Sequence, residues 1–296
     1  MKKIAIALGG GGARGNAHIG VLRVLEREGY EIAAIAGTSI GGLVGAIYAA
    51  GYSPDEIEKI FSEIDQSKLY ELGLRSKPAL LGLEKISEWL GEILGEKTFA
   101  DTKIPCAMTA ADLNCNCEVT LQTGSLKNAV LATIAVPGIF PSYQEDGHYL
   151  VDGGVLNPVP VSLARELAPK LPIVAVALTA PLSSVSSYYL PASLSSIIPG
   201  SIARRITRLN VSQAMDIFLH SVDIGNRAIT ELRLEKEPPD LLIRPAVEQI
   251  GLLDRVVVAD VARLGEEAAE AALPELARVM HHSDSFFKIL FGRKTL

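Results

Sequence analysis

The chain has 296 residues, 48% of them hydrophobic and 21% charged, an ordinary globular composition with length enough to bury a core. Its formal net charge of −6 argues against nucleic acid as the main partner, because duplex binding needs a basic face. Three cysteines, Cys106, Cys115 and Cys117, are too few for a disulfide framework, and the odd count suits a reducing compartment.

Lys2 and Lys3 precede an apolar run from Ile4 to Leu8 that is too short for a signal peptide, whose apolar core needs about 7–15 residues. Lys3–Leu8 reads instead as a buried first strand. It ends in Gly9-Gly10-Gly11-Gly12-Ala13-Arg14-Gly15, and a helix follows over Ala17–Glu28. Glu31–Ala36 reads as a second strand, ending in Gly37-Thr38-Ser39-Ile40-Gly41-Gly42, with a small-residue helix over Gly42–Ala50 closed by Gly51. Strand–turn–helix twice over predicts parallel strands in an α/β layered fold.

Ser53-Pro54-Asp55-Glu56 starts a helix, with Ser53 as N-cap, Pro54 in the first helical position and Glu56 closing a capping box. Asp65–Leu83 is irregular and mixes leucines with charges, which suits a cap over a cleft. Glu84–Leu94 has helical periodicity. Ile104–Asp112 and Glu118–Gln122 read as two strands joined by a turn that carries Cys115 and Cys117 as small thiols; no second Cys/His pair stands at zinc spacing. Lys127–Ala135 reads as helix, and His148–Val151 as a short strand leading into Asp152-Gly153-Gly154. A helix over Val161–Leu167 and a buried strand over Ile173–Leu178 follow. Ser201–Arg233 reads as helix, Leu241–Arg244 as a last strand, and Asp260–Val279 as an amphipathic helix that Pro274 should break or kink.

There is no internal repeat and no linker. The expectation is one domain over residues 1–280 and a tail over 281–296, either disordered or lying at an interface. No stretch reaches about 18 uninterrupted apolar residues, so a cytoplasmic location is expected. Two stretches leave peripheral membrane contact open, because they set aromatic and apolar residues beside basic ones: Tyr188–Ile198 ahead of Arg204-Arg205, and Phe286–Lys294. The oligomeric state is not readable.

Three places could carry chemistry. Gly37-Thr38-Ser39-Ile40-Gly41 fits G-x-S-x-G, the sharp turn that presents a serine oxygen as a nucleophile; a plain N-cap serine would look the same. Gly10–Gly15 fits G-x-G-x-x-G. A dinucleotide site would need an acid at the end of the next strand, and Gly37-Thr38-Ser39 stands there instead. The same loop can turn the N–H groups of Gly11 and Gly12 toward an oxyanion, with Arg14 fixing the loop or adding charge. Parallel strands would open both turns on one rim. Asp152 is a feeble base if exposed, with a pKa of about 3.9, but beside a serine hydroxyl in a dry cleft it could take a proton. A turn-forming D-G pair is its ordinary alternative.

Taken in this order, Gly10–Gly15, Gly37–Gly41 and Asp152-Gly153-Gly154 resemble the patatin-like phospholipase family. His18-Ile19-Gly20-Val21 and Asn157-Pro158 look like its bacterial members. The resemblance covers roughly residues 3–178 and, more weakly, Ile250–Asp254. It implies a three-layer α/β/α sandwich with a mostly parallel central sheet. It also implies a Ser39–Asp152 dyad and an oxyanion hole at Gly11, Gly12 and Arg14; the sequence itself offers no metal site of recognisable spacing, and no cofactor is expected. The substrates it implies are lipid esters: phospholipids, lysophospholipids, glycerides or model esters. Three other readings stay open: a Ser-His-Asp esterase, an idle acyl-ligand-binding or regulatory protein, and a nucleotide-binding module. His18 and His148 could approach the site, but single histidines more often satisfy local hydrogen bonds.

Overall fold

In a computed structural model of the chain, the structure describes residues 2–64, 83–182 and 211–291. Eight strands form one sheet: β1 (Lys2–Leu8), β2 (Tyr30–Thr38), β3 (Cys106–Asp112), β4 (Cys117–Leu121), β5 (Tyr143–Glu145), β6 (His148–Asp152), β7 (Ile173–Val176) and β8 (Leu241–Ile243). The order is β5-β6-β3-β2-β1-β7-β8, with β4 also pairing to β3. From β3 to β8 every neighbour is parallel; β4, β5 and β6 form an antiparallel margin.

Side-chain size alternates along the central strands and sorts the helices into two layers. Ile4, Ile6 and Leu8 of β1 face one way with Val174 and Val176 of β7. They pack there against α1 (Ala17–Arg27), α2 (Ile40–Ala49), α5 (Leu126–Thr133) and α8 (Val258–Phe291). Ala5, Ala7, Ala34, Ala36 and Ala175 face the other way. These alanines let α6 (Val161–Leu167) lie close to the sheet, and Leu234 of α7 (Val211–Lys236) joins the same core. The result is the α/β/α sandwich with a mostly parallel centre. Two further helices, α3 (Pro54–Glu63) and α4 (Glu84–Leu94), pack on the larger core through Ile57, Phe61, Ile86, Leu90 and Leu94. The capping box at Ser53 and Glu56 is formed as read.

Two expectations are corrected. The helix α8 runs through Pro274 instead of ending there. Pro274 is exposed, so the carbonyl left without its N–H partner can meet water, while buried Ala269, Leu276 and Met280 hold both halves to the core. Cys115 and Cys117 are bonded to each other as a disulfide rather than standing as separate thiols; only Cys106, buried in β3, is free. Among the described residues no helix is long and apolar enough to cross a membrane. All of the expected cap (Asp65–Leu83) but Leu83, the apolar stretch at Tyr188–Ile198 and the last residues of the tail (292–296) lie outside the described residues.

Candidate active site

Leu8 and Gly37 are paired in register on β1 and β2, so the two glycine turns leave the sheet side by side. The second passes straight from β2 into α2 through Ser39, whose backbone sits at φ 55 and ψ −126. Such a conformation costs a non-glycine residue about 1–3 kcal/mol and must be held from outside. The Ser39 N–H donates to Thr133 Oγ1 at 2.9 Å, and that hydroxyl donates to the Thr109 carbonyl at 2.6 Å. The Ser39 carbonyl accepts from Leu43 at 3.0 Å, starting α2. Gly41 is required by space, since a Cβ there would strike the Leu8 carbonyl; one on Gly37 would strike the Gly41 peptide. On Gly15 it would strike the Ile40 side chain. A Cβ on Gly10 would lie 3.3 Å from that of Ser39, so the two turns touch.

The first turn is pinned at both ends. Gly9 N–H donates to Val176, Gly10 N–H to Pro158 and Ala13 N–H to Leu252, each at 2.9 Å. Between them Gly12 takes φ 56 against the Leu252 carbonyl, where a side chain would have no room. The N–H groups of Gly11 and Gly12 are left with no acceptor among the described residues. Arg14 donates through Nε to Ile250 O at 2.6 Å and through both Nη atoms to Asp223 at 2.8 and 3.2 Å. It is buried, with its charge spent on Asp223. Of its two expected roles, fixing the loop is the one these contacts match.

His18 lies under the same loop. Its Nε2 is 2.7 Å from the Gly9 carbonyl, which can only accept, so Nε2 carries the proton and Nδ1 is a bare lone pair with no partner. Burial pushes its pKa down to about 4. It is therefore a neutral support for the glycine loop at physiological pH.

Asp152 reaches Ser39 through β3. Residues Met108–Thr109 of β3 pair with β4 and β2 together, and residues Ala110–Asp112 pair with β4 and β6 together. A strand has two edges, so β2 and β6 share one edge of β3 and meet end to end. Thr38 closes β2 opposite Thr109; Asp152 closes β6 opposite Ala110, one residue on. The buried Asp152 carboxylate accepts from Gly154 N–H at 2.7 Å and lies beside the Ser39 side chain. Burial pushes its pKa up to about 6, against the opposite pull of the neighbouring Ser39 side chain and the Gly154 N–H. Gly153 turns tightly over Thr109, whose carbonyl would lie 2.5 Å from an added Cβ.

His148 begins β6, four residues before Asp152 and roughly 13 Å away along the strand. It is more than half exposed and bonds Asp112 at 2.6 Å, which holds that carboxyl below its usual range. The hydrogen bonds of His18 and His148 go to Gly9 and Asp112, not to Ser39 or Asp152. Sequence reading missed the threonines: Thr109 Oγ1 bonds Thr38 Oγ1 at 2.8 Å, and Thr38 Oγ1 donates to Asn157 O at 2.8 Å. The signal available was a hydroxyl closing the apolar strand β2 and another inside the apolar strand β3.

A cavity of about 160 Å³ opens on Ser39. Its walls are Ile40 and Leu43 of α2, Phe61 of α3, Ile86 and Trp89 of α4, Ile134, Phe140 and the Leu252-Leu253 turn. The rings of Phe61 and Trp89 lie 6.0 Å apart. Asp254, the one ionisable group on its lining among the described residues, is turned onto Gly251 N–H at 2.7 Å.

The sequence is 39% identical over 162 residues to an uncharacterized NTE family protein of Mycobacterium bovis, covering 54% of this chain and 45% of that one. It is 33% identical over 178 residues to mouse patatin-like phospholipase domain-containing protein 6, covering 56% of this chain and 13% of that one. The chain thus spans under half the length of these relatives. The fold is similar to that of VipD from Legionella pneumophila, with a TM-score of 0.54 at 11% identity over 95% of this chain and 67% of that one. The family model described as patatin-like phospholipase matches residues 6–165, both turns and Asp152 included. The chain belongs to the patatin-like phospholipase family.

Proposed function

We propose that this chain is a serine hydrolase of lipid acyl esters, working through a Ser39–Asp152 dyad. The observation that carries the reading is that Ser39 stands on the lining of an apolar cavity with the buried Asp152 carboxylate beside its side chain. With a pKa of about 6, Asp152 is ionised at neutral pH yet more basic than an exposed carboxylate. Ser39 Oγ attacks the ester carbonyl as its proton passes to Asp152. The negative oxygen is held by the N–H groups of Gly11 and Gly12, beside the amide end of α2. Collapse expels the alcohol, which takes the proton from Asp152, and leaves an acyl-serine. Water, deprotonated by Asp152, then releases the fatty acid and restores the hydroxyl.

The cavity supports an acyl chain and offers little to a nucleotide, since its walls are hydrocarbon and aromatic. The mouse relative's printed name points to phospholipids as the class to test first. Such a substrate would bring the chain to a membrane surface without crossing it. A fluorophosphonate probe tests the nucleophile: we expect labelling of the wild type and none of Ser39→Ala. An unlabelled but folded wild type would favour an idle acyl-binding protein. A His148→Ala variant should keep most of its ester turnover, and complete loss in a folded variant would restore the histidine triad.

A further inference from the structure

Cys115 and Cys117 lie at the tip of the β3–β4 hairpin, away from the cavity, and the chemistry above uses neither. We propose that this pair is a thiol–disulfide exchange site whose co-reactant is a thiol reductant.

The first reason is that the bond has little structural work to do. It spans a sequence separation of only 2, a very short loop and so a weak case for stabilisation through chain entropy. The ends of that loop are held without it. Asp112 and Cys117 are paired in register, Asn114 N–H donates to Asp112 Oδ1 at 2.9 Å, and Asn114 Nδ2 donates to Gly147 O at 2.7 Å. Asn116 makes the turn itself at φ 55, a conformation asparagine tolerates.

The second reason is access. Cys115, Asn116 and Cys117 are all exposed, in contrast to Cys106, which is buried and whose thiol pKa burial pushes up to about 12. Exposed disulfides are the ones that exchange, and reactivity follows thiolate character and approach. A reducing thiolate attacks one of the two sulfurs. The Cys115–Cys117 bond breaks, a mixed disulfide forms, and the freed sulfur leaves as a thiolate and takes a proton. A second reducing thiol attacks the mixed disulfide on the reductant's sulfur. The balance is one protein disulfide plus two thiols going to two protein thiols plus one external disulfide.

The test uses the folded, full chain. It is equilibrated in glutathione buffers from fully oxidised to fully reduced, quenched with N-ethylmaleimide, and the adducts are located by peptide mass. We expect no adduct in the oxidised buffer and adducts on both Cys115 and Cys117 in the reduced one. The change should reverse on return, and Cys106 should react only after denaturation. In Cys117→Ser, oxidised glutathione should be captured on Cys115. The double variant Cys115→Ser/Cys117→Ser should keep the wild-type Tm. A pair that resists millimolar glutathione and dithiothreitol until the chain unfolds would overturn the proposal, as would a pair that never forms in oxidised glutathione. So would a double variant that loses its fold, because the bond would then be a staple. None of these readouts depends on ester hydrolysis.

Discussion

Around Ser39 the backbone leaves no room. Gly10, Gly15, Gly37 and Gly41 each abut another segment, and Thr133 and Thr109 hold the Ser39 peptide in a conformation that serine does not choose. Across the cavity, Phe61, Ile86, Trp89 and Phe140 line a wall whose only requirement is hydrocarbon of about the right volume. The first region is specified by stereochemistry and the second by buried area. Substitutions should therefore act on one as a switch and on the other as a dial.

The largest effect should come from Asp152→Asn, which keeps an acceptor for Gly154 N–H but removes the base. We expect kcat to fall by about 10³-fold with KM little changed, measured on a short p-nitrophenyl ester. A fall of less than tenfold would move the base elsewhere. Next is Gly41→Ala, which drives a methyl group into the Leu8 carbonyl. It should cost about 3 kcal/mol in urea unfolding or prevent folding altogether; a neutral result would show that the turn can give way.

The pH dependence is the third, and it separates chemistry from stability at one residue. Turnover should rise about tenfold per pH unit below 6 and level off above about 6, as Asp152 ionises. Stability should move the other way. The folded pKa lies above its ordinary value of 3.8, so the contribution is full below that value and is lost as pH rises through about 6. The upper bound for this group is about 3 kcal/mol, and Asp152→Asn should remove it.

The smallest effect should be that of Trp89→Ala in the wall. It should lower kcat/KM for long-chain esters by about 10–100-fold relative to short ones while leaving short-ester turnover near wild type. Equal losses on both chain lengths would mean that Trp89 supports the fold rather than the acyl group.

The two regions also differed in how far they could be read in the sequence. Ser39 and the first glycine loop announce themselves because a strand, a turn and a helix follow one another within a few residues. Asp152 could be named as a candidate from its local pattern, but only the family resemblance, not the spacing of the residues, paired it with Ser39. That meeting depends on β6 lying on the same edge of β3 as β2, through the two pairings Thr38 with Thr109 and Ala110 with Asp152, both between segments distant in the chain. Arg14 shows the same limit, since its partner Asp223 is 209 positions away. The cavity walls come from α3, α4 and the Leu252 turn, whose apolar residues carry the same pattern as any core helix. The Cys115–Cys117 bond was read as two thiols because counting cysteines tests for frameworks, not for a single local pair.

The end-to-end meeting of β2 and β6 makes β3 a ruler graduated in whole residues. Neighbouring positions on a strand point to opposite faces, so sliding β6 by one residue would turn the carboxylate away from the serine altogether. Sliding it by two would restore the direction about 6.7 Å out of place. No intermediate spacing exists along that edge. Descendants or redesigns of this chain can vary the loops and the pocket freely, but the gap between acid and alcohol can be adjusted only by side-chain rotation or by exchanging aspartate for a longer acid.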